Sequence, residues 1–204
     1  MKYIEMIGLS GVGKTTILSS PLSPLNKNCV ICEPVRPSRL SHVFHFFYLF
    51  VGVVLSSPVS AVHVVKKREW IRLLLKLAYR VAGIKRRQIS SKEVVFLRDS
   101  GVLMPIVSSI LDDRLNISCY PIKKLLGLLP LPETVFFILD KSDDAVYERF
   151  IRRESIKGRD LSSYSPAIFS TASIFLFELA DVLERLNINV EKIYINLQEE
   201  EIWN

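Results

Sequence analysis

The sequence predicts an α/β protein: a single domain of 204 residues built on one parallel sheet of five strands, with helices on both faces. Three observations indicate this class. Five short runs of apolar and β-branched residues are separated by longer runs with helical character. A glycine-rich turn joins the first of these runs directly to a helix. Acidic residues also stand where two other strands end, and parallel sheets bind ligands at that edge.

The first strand and the turn after it carry the most specific signal in the chain. Residues 2–7 form an apolar run, and residues 8–15 match G-x-x-x-x-G-K-[ST] at every defined position. The glycines let the backbone curl so that successive N–H groups face phosphate oxygens, and the helix opening at Gly13 or Lys14 adds partial positive charge. We expect Lys14 to reach the β- and γ-phosphates and Thr15 to ligate Mg²⁺. The sequence therefore predicts a nucleoside triphosphate site made by Gly8, Ser10, Gly11, Val12, Gly13, Lys14, Thr15 and Thr16.

The second strand is expected at 28–33, after a helix that Pro21 and Pro24 keep short. This strand ends in Glu33-Pro34. Because proline biases the preceding residue toward extended backbone, the Glu33 carboxylate should stand at a strand tip. The chain enters its first strand without a secretory signal and has three cysteines, an odd number, which favours buried structural cysteines in a reducing cytoplasm. These cysteines are Cys29, Cys32 and Cys119.

An apolar region follows, and no charged residue occurs between Leu40 and Val65. The run is long enough to span a bilayer, but a single span would separate the strands before it from those after it. Two buried or partly exposed helices, at about 39–56 and 58–83, are therefore favoured. The second is amphipathic, and a solvated basic face over a core helix is favoured over attachment to an anionic membrane. Its charged stripe is formed by Glu69, Arg72, Lys76 and Arg80.

The third strand, at 92–99, is apolar at 94–97 and delivers Asp99 at its carboxyl end. Helices are expected at 102–115 and at about 121–129, and a β-rich fourth strand at 134–139. Right-handed crossovers bring the carboxyl ends of all parallel strands to one edge of the sheet, so the glycine-rich loop, Glu33 and Asp99 should converge.

The last third of the chain adds a cluster of arginines. Ser142 is a good N-cap for a helix whose first turn is acidic, and the arginines of that helix share one face. A polar loop at 155–165 leads to a long helix that starts at Pro166, and a fifth strand is expected at 190–197. The arginines are Arg149, Arg152 and Arg153 on the helix and Arg159 in the loop.

These features together resemble the P-loop small-molecule kinases, in particular the thymidylate kinase-like and deoxynucleoside kinase-like group. The resemblance covers nearly the whole chain. It is carried by the glycine-rich loop near the N-terminus, by Glu33-Pro34-Val35 after the second strand, by Asp99 at the end of the third, and by the arginines near 149–165. It implies the P-loop NTPase fold with strand order 2-3-1-4-5, an apolar helical insertion at 39–88 and a lid-like segment at 149–165.

The resemblance implies an ATP-dependent phosphotransferase that moves the γ-phosphoryl group of Mg-ATP to a small acceptor, a nucleoside or a nucleotide. Phosphoryl transfer needs positioned charges more than covalent chemistry. Glu33 is the expected base or orienting group for an acceptor hydroxyl, and Asp99 is the second Mg²⁺ ligand. Arg36 and Arg98 are expected at the acceptor; Arg98 precedes Asp99, whereas the group has its arginine after the acid. Arg149 and Arg153 are the expected clamps on the transferring group, and Arg152 and Arg159 are expected at the nucleotide.

Other classes stay open at this stage. Asp140-Lys141-Ser142-Asp143 is similar to a guanine-reading motif, although Val102 stands where the D-x-x-G switch of a GTPase needs glycine. A membrane-associated NTP-binding regulator, or a kinase of a sugar or lipid-linked acceptor, would use the apolar region. The formal charge of +6 is explained by phosphate binding, so no nucleic-acid partner is inferred. We expect a cytoplasmic protein, with peripheral membrane contact through 40–88 and homodimer formation as open alternatives.

Overall fold

A computed structural model describes residues 3–19, 30–31, 36–56, 68–90, 95–98, 101–111 and 122–195. The structural statements below concern these residues. The expected positions of Cys29, Cys32, Glu33, Asp99 and Cys119 lie outside them.

The described residues form five parallel strands in one sheet, and the α/β class is confirmed. The order across the sheet is β2-β3-β1-β4-β5, which places β1 at the centre. In the register of the sheet, Ile4 of β1 lies opposite Phe96 of β3 on one side and Thr134 of β4 on the other. The strands are β1 at Tyr3–Ile7, β2 at Val30–Ile31, β3 at Val95–Arg98, β4 at Thr134–Asp140 and β5 at Asn189–Ile195.

Seven helices lie within the described ranges. They are α1 at Lys14–Ser19, α2 at Arg39–Ser56, α3 at Arg68–Ser90, α4 at Met104–Leu111, α5 at Ile122–Leu126, α6 at Asp143–Ile156 and α7 at Pro166–Arg185. The predicted bounds of the helix at 39–56 are confirmed. So are the N-cap of α6, where Ser142 Oγ accepts from the Ala145 N–H at 3.2 Å, and the start of α7 at Pro166.

The end predicted for the second apolar helix is wrong, because α3 continues to Ser90 rather than stopping at 83. Helices often end at glycine, but Ala82 and Ile84 on either side of Gly83 are buried, at 1% and 6% exposure. Tertiary packing therefore outweighs the weak helix propensity of Gly83. The predicted start at 58 lies outside the described residues.

Helices α2 and α3 form an antiparallel hairpin. The Arg86 side chain near the end of α3 donates to the Arg36 carbonyl oxygen before α2, at 2.9 Å. Further along, the His42 ring lies 3.1 Å from the Leu75 carbonyl oxygen, and Leu49 and Val53 are fully buried. One face of α2 thus belongs to the core.

The core lies between the sheet and the helices packed on it, and α3, α4 and α7 contribute many of its buried side chains. Strand β4 is buried from Val135 to Leu139. Helix α7 is long and apolar enough to cross a membrane by length and composition. Its inward face is built into the core, since Phe169, Phe175 and Leu179 are at most 3% exposed, so packing on the sheet accounts for its apolar character.

Strand β1 also carries a fully buried carboxylate, Glu5. Its two oxygens accept the backbone N–H groups of Val102, Leu103 and Met104 at 2.9 to 3.2 Å, where α4 begins. These donors have no partner inside a helix, so Glu5 caps α4 from the neighbouring strand. The carboxyl group fills the position that a Cβ at Gly101 would need. Burial raises the pKa of Glu5 to about 8, although the three N–H donors and Arg80 act in the opposite direction.

Candidate functional site

The loop between β1 and α1 has the backbone geometry that its sequence predicts. Gly11 and Gly13 have φ angles of 95° and 94°, in the left-handed region that residues with a Cβ avoid. Helix α1 begins at Lys14, so the N–H groups of its first turn point toward the loop. The glycines therefore shape a loop whose amides and helix dipole suit an anion.

Lys14 is folded back over this loop. Its ammonium group donates to the Gly8 carbonyl oxygen at 2.8 Å and to that of Leu9 at 3.1 Å, and the residue is 8% exposed. Thr15 is exposed and Thr16 is half-buried. A cation and a hydroxyl group thus stand at adjacent positions beside the same loop.

The loop is packed tightly against β4 and α6. A Cβ at Gly8 would lie 2.6 Å from the Ile138 carbonyl oxygen, and one at Gly11 would lie 2.8 Å from the Val146 carbonyl oxygen and 3.0 Å from the Phe150 nitrogen. Side chains are excluded at both positions. The glycines of the loop therefore serve its packing as well as its curvature.

Two arginines of α6 reach the loop directly. Arg149 Nε donates to the Gly11 carbonyl oxygen at 3.0 Å, and Arg153 Nη2 donates to Ser10 Oγ at 2.6 Å. Arg149 is also held by an ion pair, with Nη2 at 2.5 Å from Asp140 Oδ2. Asp140 ends β4 and accepts the Ser142 N–H at 3.0 Å, so one carboxylate orients both the arginine and the N-terminus of α6.

A second carboxylate, Glu154, organises the cations at the end of α6. It is 2% exposed, and its Oε1 accepts from Arg153 at 2.8 Å and from Lys157 at 3.0 Å. Arg159 Nη1 lies 2.6 Å from the other oxygen, Oε2. Burial opposes ionisation of Glu154, but the hydrogen bonds from Lys157 and Arg153 outweigh it and hold its pKa below its usual range. Glu154 therefore acts as an anchor that ties Arg159 of the predicted lid to the helix.

Four of the residues selected from the sequence are thus brought together, namely Ser10, Gly11, Arg149 and Arg153. Arg152 is exposed on α6. Arg36 is exposed ahead of α2, and Arg98 ends β3 with its backbone opposite Met6. Glu33 and Asp99 lie outside the described residues, so their place at this edge stays a prediction.

Sequence reasoning missed the two carboxylates that position the arginines. In the sequence Asp140 stands out only as part of the segment similar to a guanine-reading motif, but in the structure it pairs with Arg149 nine residues later. Glu154 lies among cations at Arg153, Lys157 and Arg159, and that local pattern was the available signal. Their burial, which makes these contacts matter, is not visible in the sequence.

A cavity of about 590 Å³ lies between α3 and the first turns of α4. It is lined by Leu75, Lys76, Tyr79, Arg80, Met104, Pro105 and Ser108. Helix α4 begins where the chain returns from β3, which runs parallel to β1. In a parallel sheet, the segments that follow the strands all start at the same edge. The N-terminal end of α4 therefore lies toward the edge that carries the glycine-rich loop.

No protein-family model and no curated protein sequence matches the chain. Among solved structures, it is similar to deoxyadenosine kinase from M. mycoides with bound dATP, with a TM-score of 0.51 and 16% identity over 97% of this chain and 93% of that one. It is also similar to thymidylate kinase from Ehrlichia chaffeensis, with a TM-score of 0.45 and 16% identity over 97% and 89% of the two chains.

At 16% identity, the similarity to deoxyadenosine kinase shows a shared fold and no more. The chain has the α/β fold of the P-loop kinases. The first of these structures is a deoxynucleoside kinase, which belongs to the group that the sequence motifs resemble.

Proposed function

We propose that this protein is an ATP-dependent phosphotransferase that moves a γ-phosphoryl group to a small acceptor, a nucleoside or a nucleotide. The observation that carries the proposal is the conjunction of a complete phosphate-loop sequence with two arginines of α6 hydrogen-bonded to that loop. Fixed cations around the phosphates are what phosphoryl transfer requires, since its transition state spreads negative charge over the transferred oxygens. The fold shared with deoxyadenosine kinase is consistent with this chemistry.

On the donor side, the loop amides and Lys14 would bind the triphosphate. Lys14 now donates to two carbonyl oxygens of the loop, and we expect it to exchange them for phosphate oxygens. Thr15, an exposed residue next to it, carries a hydroxyl oxygen, and Mg²⁺ prefers oxygen ligands. Thr15, with the predicted second ligand Asp99, would therefore hold the ion, which when bound neutralises charge on the phosphates.

Arg149 and Arg153 would contact the transferring group from α6. Both are already anchored, by Asp140 and by Glu154, so little conformational entropy remains to be lost when an anion arrives. Arg152 and Arg159 would contribute to nucleotide binding. For Arg159 this requires exchange of the Glu154 carboxylate for phosphate, because its guanidinium group now pairs with that acid.

For the acceptor we propose the cavity between α3 and α4. Lys76 and Arg80 supply positive charge, while Leu75 and Met104 supply apolar surface and Tyr79 an aromatic ring. A base or sugar with an attached phosphate combines the complementary features. The cavity thus favours a nucleotide over an uncharged nucleoside. The predicted acceptor residues Glu33, Arg36 and Arg98 would complete this side of the site.

The proposal is tested by measuring ADP release from Mg-ATP in the presence of single nucleosides, nucleoside monophosphates and sugars. We expect turnover that depends on one class of acceptor. Lys14→Ala should abolish triphosphate binding while leaving the fold intact, because its ammonium group donates to carbonyl oxygens of the loop at the expected phosphate site. Lys192→Ala is the matched control, since this lysine lies 3.7 to 3.8 Å from Glu184 and Asp181 on α7. Unchanged nucleotide affinity in Lys14→Ala would overturn the donor-site assignment.

A guanine-specific switch is disfavoured by the contacts of Asp140. Its two carboxylate oxygens are taken by Arg149 and by the Ser142 N–H, whereas the first residue of an Asn-Lys-x-Asp motif must face the base. Selective binding of GTP over ATP, with turnover that no acceptor accelerates, would support the switch and exclude the kinase.

A further inference from the structure

The outward face of α2 is apolar along its whole length. Its large side chains point away from the core and are 47% to 85% exposed: Leu40, Val43, Phe44, Phe47, Tyr48, Val51 and Leu55. They recur every three or four residues, so they form one stripe on the side opposite the buried Leu49 and Val53. A surface helix of a soluble domain normally turns polar residues outward, and α2 has no charged residue after Arg39.

This apolar stripe lies in the most basic part of the chain. Residues 36–90 contain eleven Lys and Arg side chains and a single acid, Glu69, whereas the rest of the protein has sixteen basic and twenty acidic residues. The whole surplus of positive charge therefore belongs to this segment. Of the basic residues that have no proposed place at the acceptor, Arg39, Arg72, Lys85 and Arg86 are exposed on the α2–α3 hairpin.

We propose that the outward face of α2 binds an anionic lipid bilayer, with the helix lying in the plane of the membrane surface. An apolar helix face bordered by lysine and arginine is the combination that interfacial helices use, since the apolar side chains enter the acyl boundary and the cations meet the headgroups. On the other face of α2, Leu49 and Val53 are fully buried, and the helix packs on α3. The helix therefore lies on the membrane rather than crossing it.

The charge distribution separates this partner from a second copy of the chain. Most homodimers are isologous, so the same patch meets itself. Two α2 faces in contact would bring two strongly basic borders together, and like charges there oppose association. An anionic bilayer instead complements both the apolar stripe and its border.

The test is cosedimentation of the full chain with phosphatidylcholine vesicles, with and without phosphatidylglycerol. We expect binding to the anionic vesicles and its reversal by high salt, which screens the headgroup attraction. Phe44→Ser with Phe47→Ser should weaken binding by on the order of tenfold for each ring removed. Arg39→Glu with Arg72→Glu should weaken it by at least about fivefold for each cation.

Matched controls exist on α7. Ile174→Ser removes an apolar side chain that is 60% exposed, and Arg185→Glu reverses an exposed charge, both away from the α2 face. These variants should bind vesicles like the parent protein. Unfolding curves for all variants exclude misfolding, and Mg-ATP binding provides a readout of the donor site that is independent of the membrane.

Three results would overturn the proposal. The first is failure of the parent protein to bind anionic vesicles at low salt. The second is equal loss of binding in the α2 variants and the α7 controls. The third is a stable dimer by sedimentation equilibrium that dissociates in Phe44→Ser/Phe47→Ser, without vesicle binding, which would assign the face to a second copy. None of these results would alter the case for the phosphate site.

Discussion

The buried carboxylate of Glu5 should make the stability of this protein fall as pH rises. The pKa of Glu5 is about 8 in the folded chain and 4.5 for an unperturbed carboxyl group, which we take for the unfolded chain. Between these values the folded state holds a proton that the unfolded state has released. The free energy of unfolding therefore decreases with pH in this window, by about 1.4 kcal/mol per pH unit. The stabilisation is complete below pH 4.5 and is lost as pH passes 8.

Glu5→Gln isolates this effect, because glutamine has nearly the same size and does not titrate. At low pH the substitution replaces a neutral acid with a neutral amide and should cost about 1 kcal/mol, since the amide nitrogen cannot accept one of the three N–H groups. Above pH 8 the parent pays for a buried anion, a penalty of about 5 kcal/mol from the shift, and the variant does not. The variant should thus be the less stable protein at pH 5 and the more stable one at pH 8.5.

Urea denaturation at half-unit steps of pH measures the difference, with fluorescence of the buried Trp70 as the probe. Other titrating groups cancel between parent and variant. Glu154 acts in the opposite sense and in another window, since its lowered pKa confines its effect to acidic pH. A difference curve that stays flat from pH 5 to 8.5 would show that Glu5 ionises normally and that its helix-capping contacts dominate its burial.

Three further substitutions test the site itself. Gly11→Ala combines a φ of 95° with a Cβ 2.8 Å from the Val146 carbonyl oxygen. We therefore expect the substitution to destabilise the fold by about 2 kcal/mol or more and to weaken Mg-ATP binding. Unfolding curves and calorimetric titrations that match those of the parent protein would contradict this. Asp99→Asn keeps the shape of the side chain but removes its charge, so turnover should fall on the order of a hundredfold. A rate and a Mg²⁺ dependence like those of the parent would contradict the role of Asp99 as a Mg²⁺ ligand. Glu33→Gln should slow transfer to a hydroxyl acceptor without changing ATP affinity. If the acceptor is instead a phosphate, Arg36→Ala should lose transfer activity while Glu33→Gln stays active. Turnover equal to that of the parent in both variants would leave the proposed acceptor residues without support.

The sequence was most informative where one local rule decides the structure. The glycines at 11 and 13 permit a left-handed loop, Ser142 favours a helix start and Pro166 favours the first position of α7, and all three features are present. Each depends on backbone conformation within a few residues. The α/β class could be predicted as well, because the alternation of strands and helices is read from local patterns along the chain.

Contacts between distant segments could not be predicted from the sequence. The predicted helix end at 83 failed because burial of Ile84 against the core is a tertiary effect. The pairing of Arg149 with Gly11 joins residues 138 positions apart, and the sequence indicated only that arginines share a helix face. Likewise, the apolar content of α2 was visible, but which of its faces lies outside the core was not. Periodicity describes one helix, whereas the site depends on which helix packs beside which loop.

The contact between Glu5 and Gly101 has a consequence for how this protein evolves. Any side chain at 101 collides with the Glu5 carboxyl group, so the two positions form an epistatic pair in which the order of change matters. Shortening residue 5 first empties the space and makes alanine at 101 acceptable, whereas the reverse order passes through an overpacked and unstable intermediate. Relatives of this chain should therefore vary at the two sites together, with a small residue at one wherever the other is large.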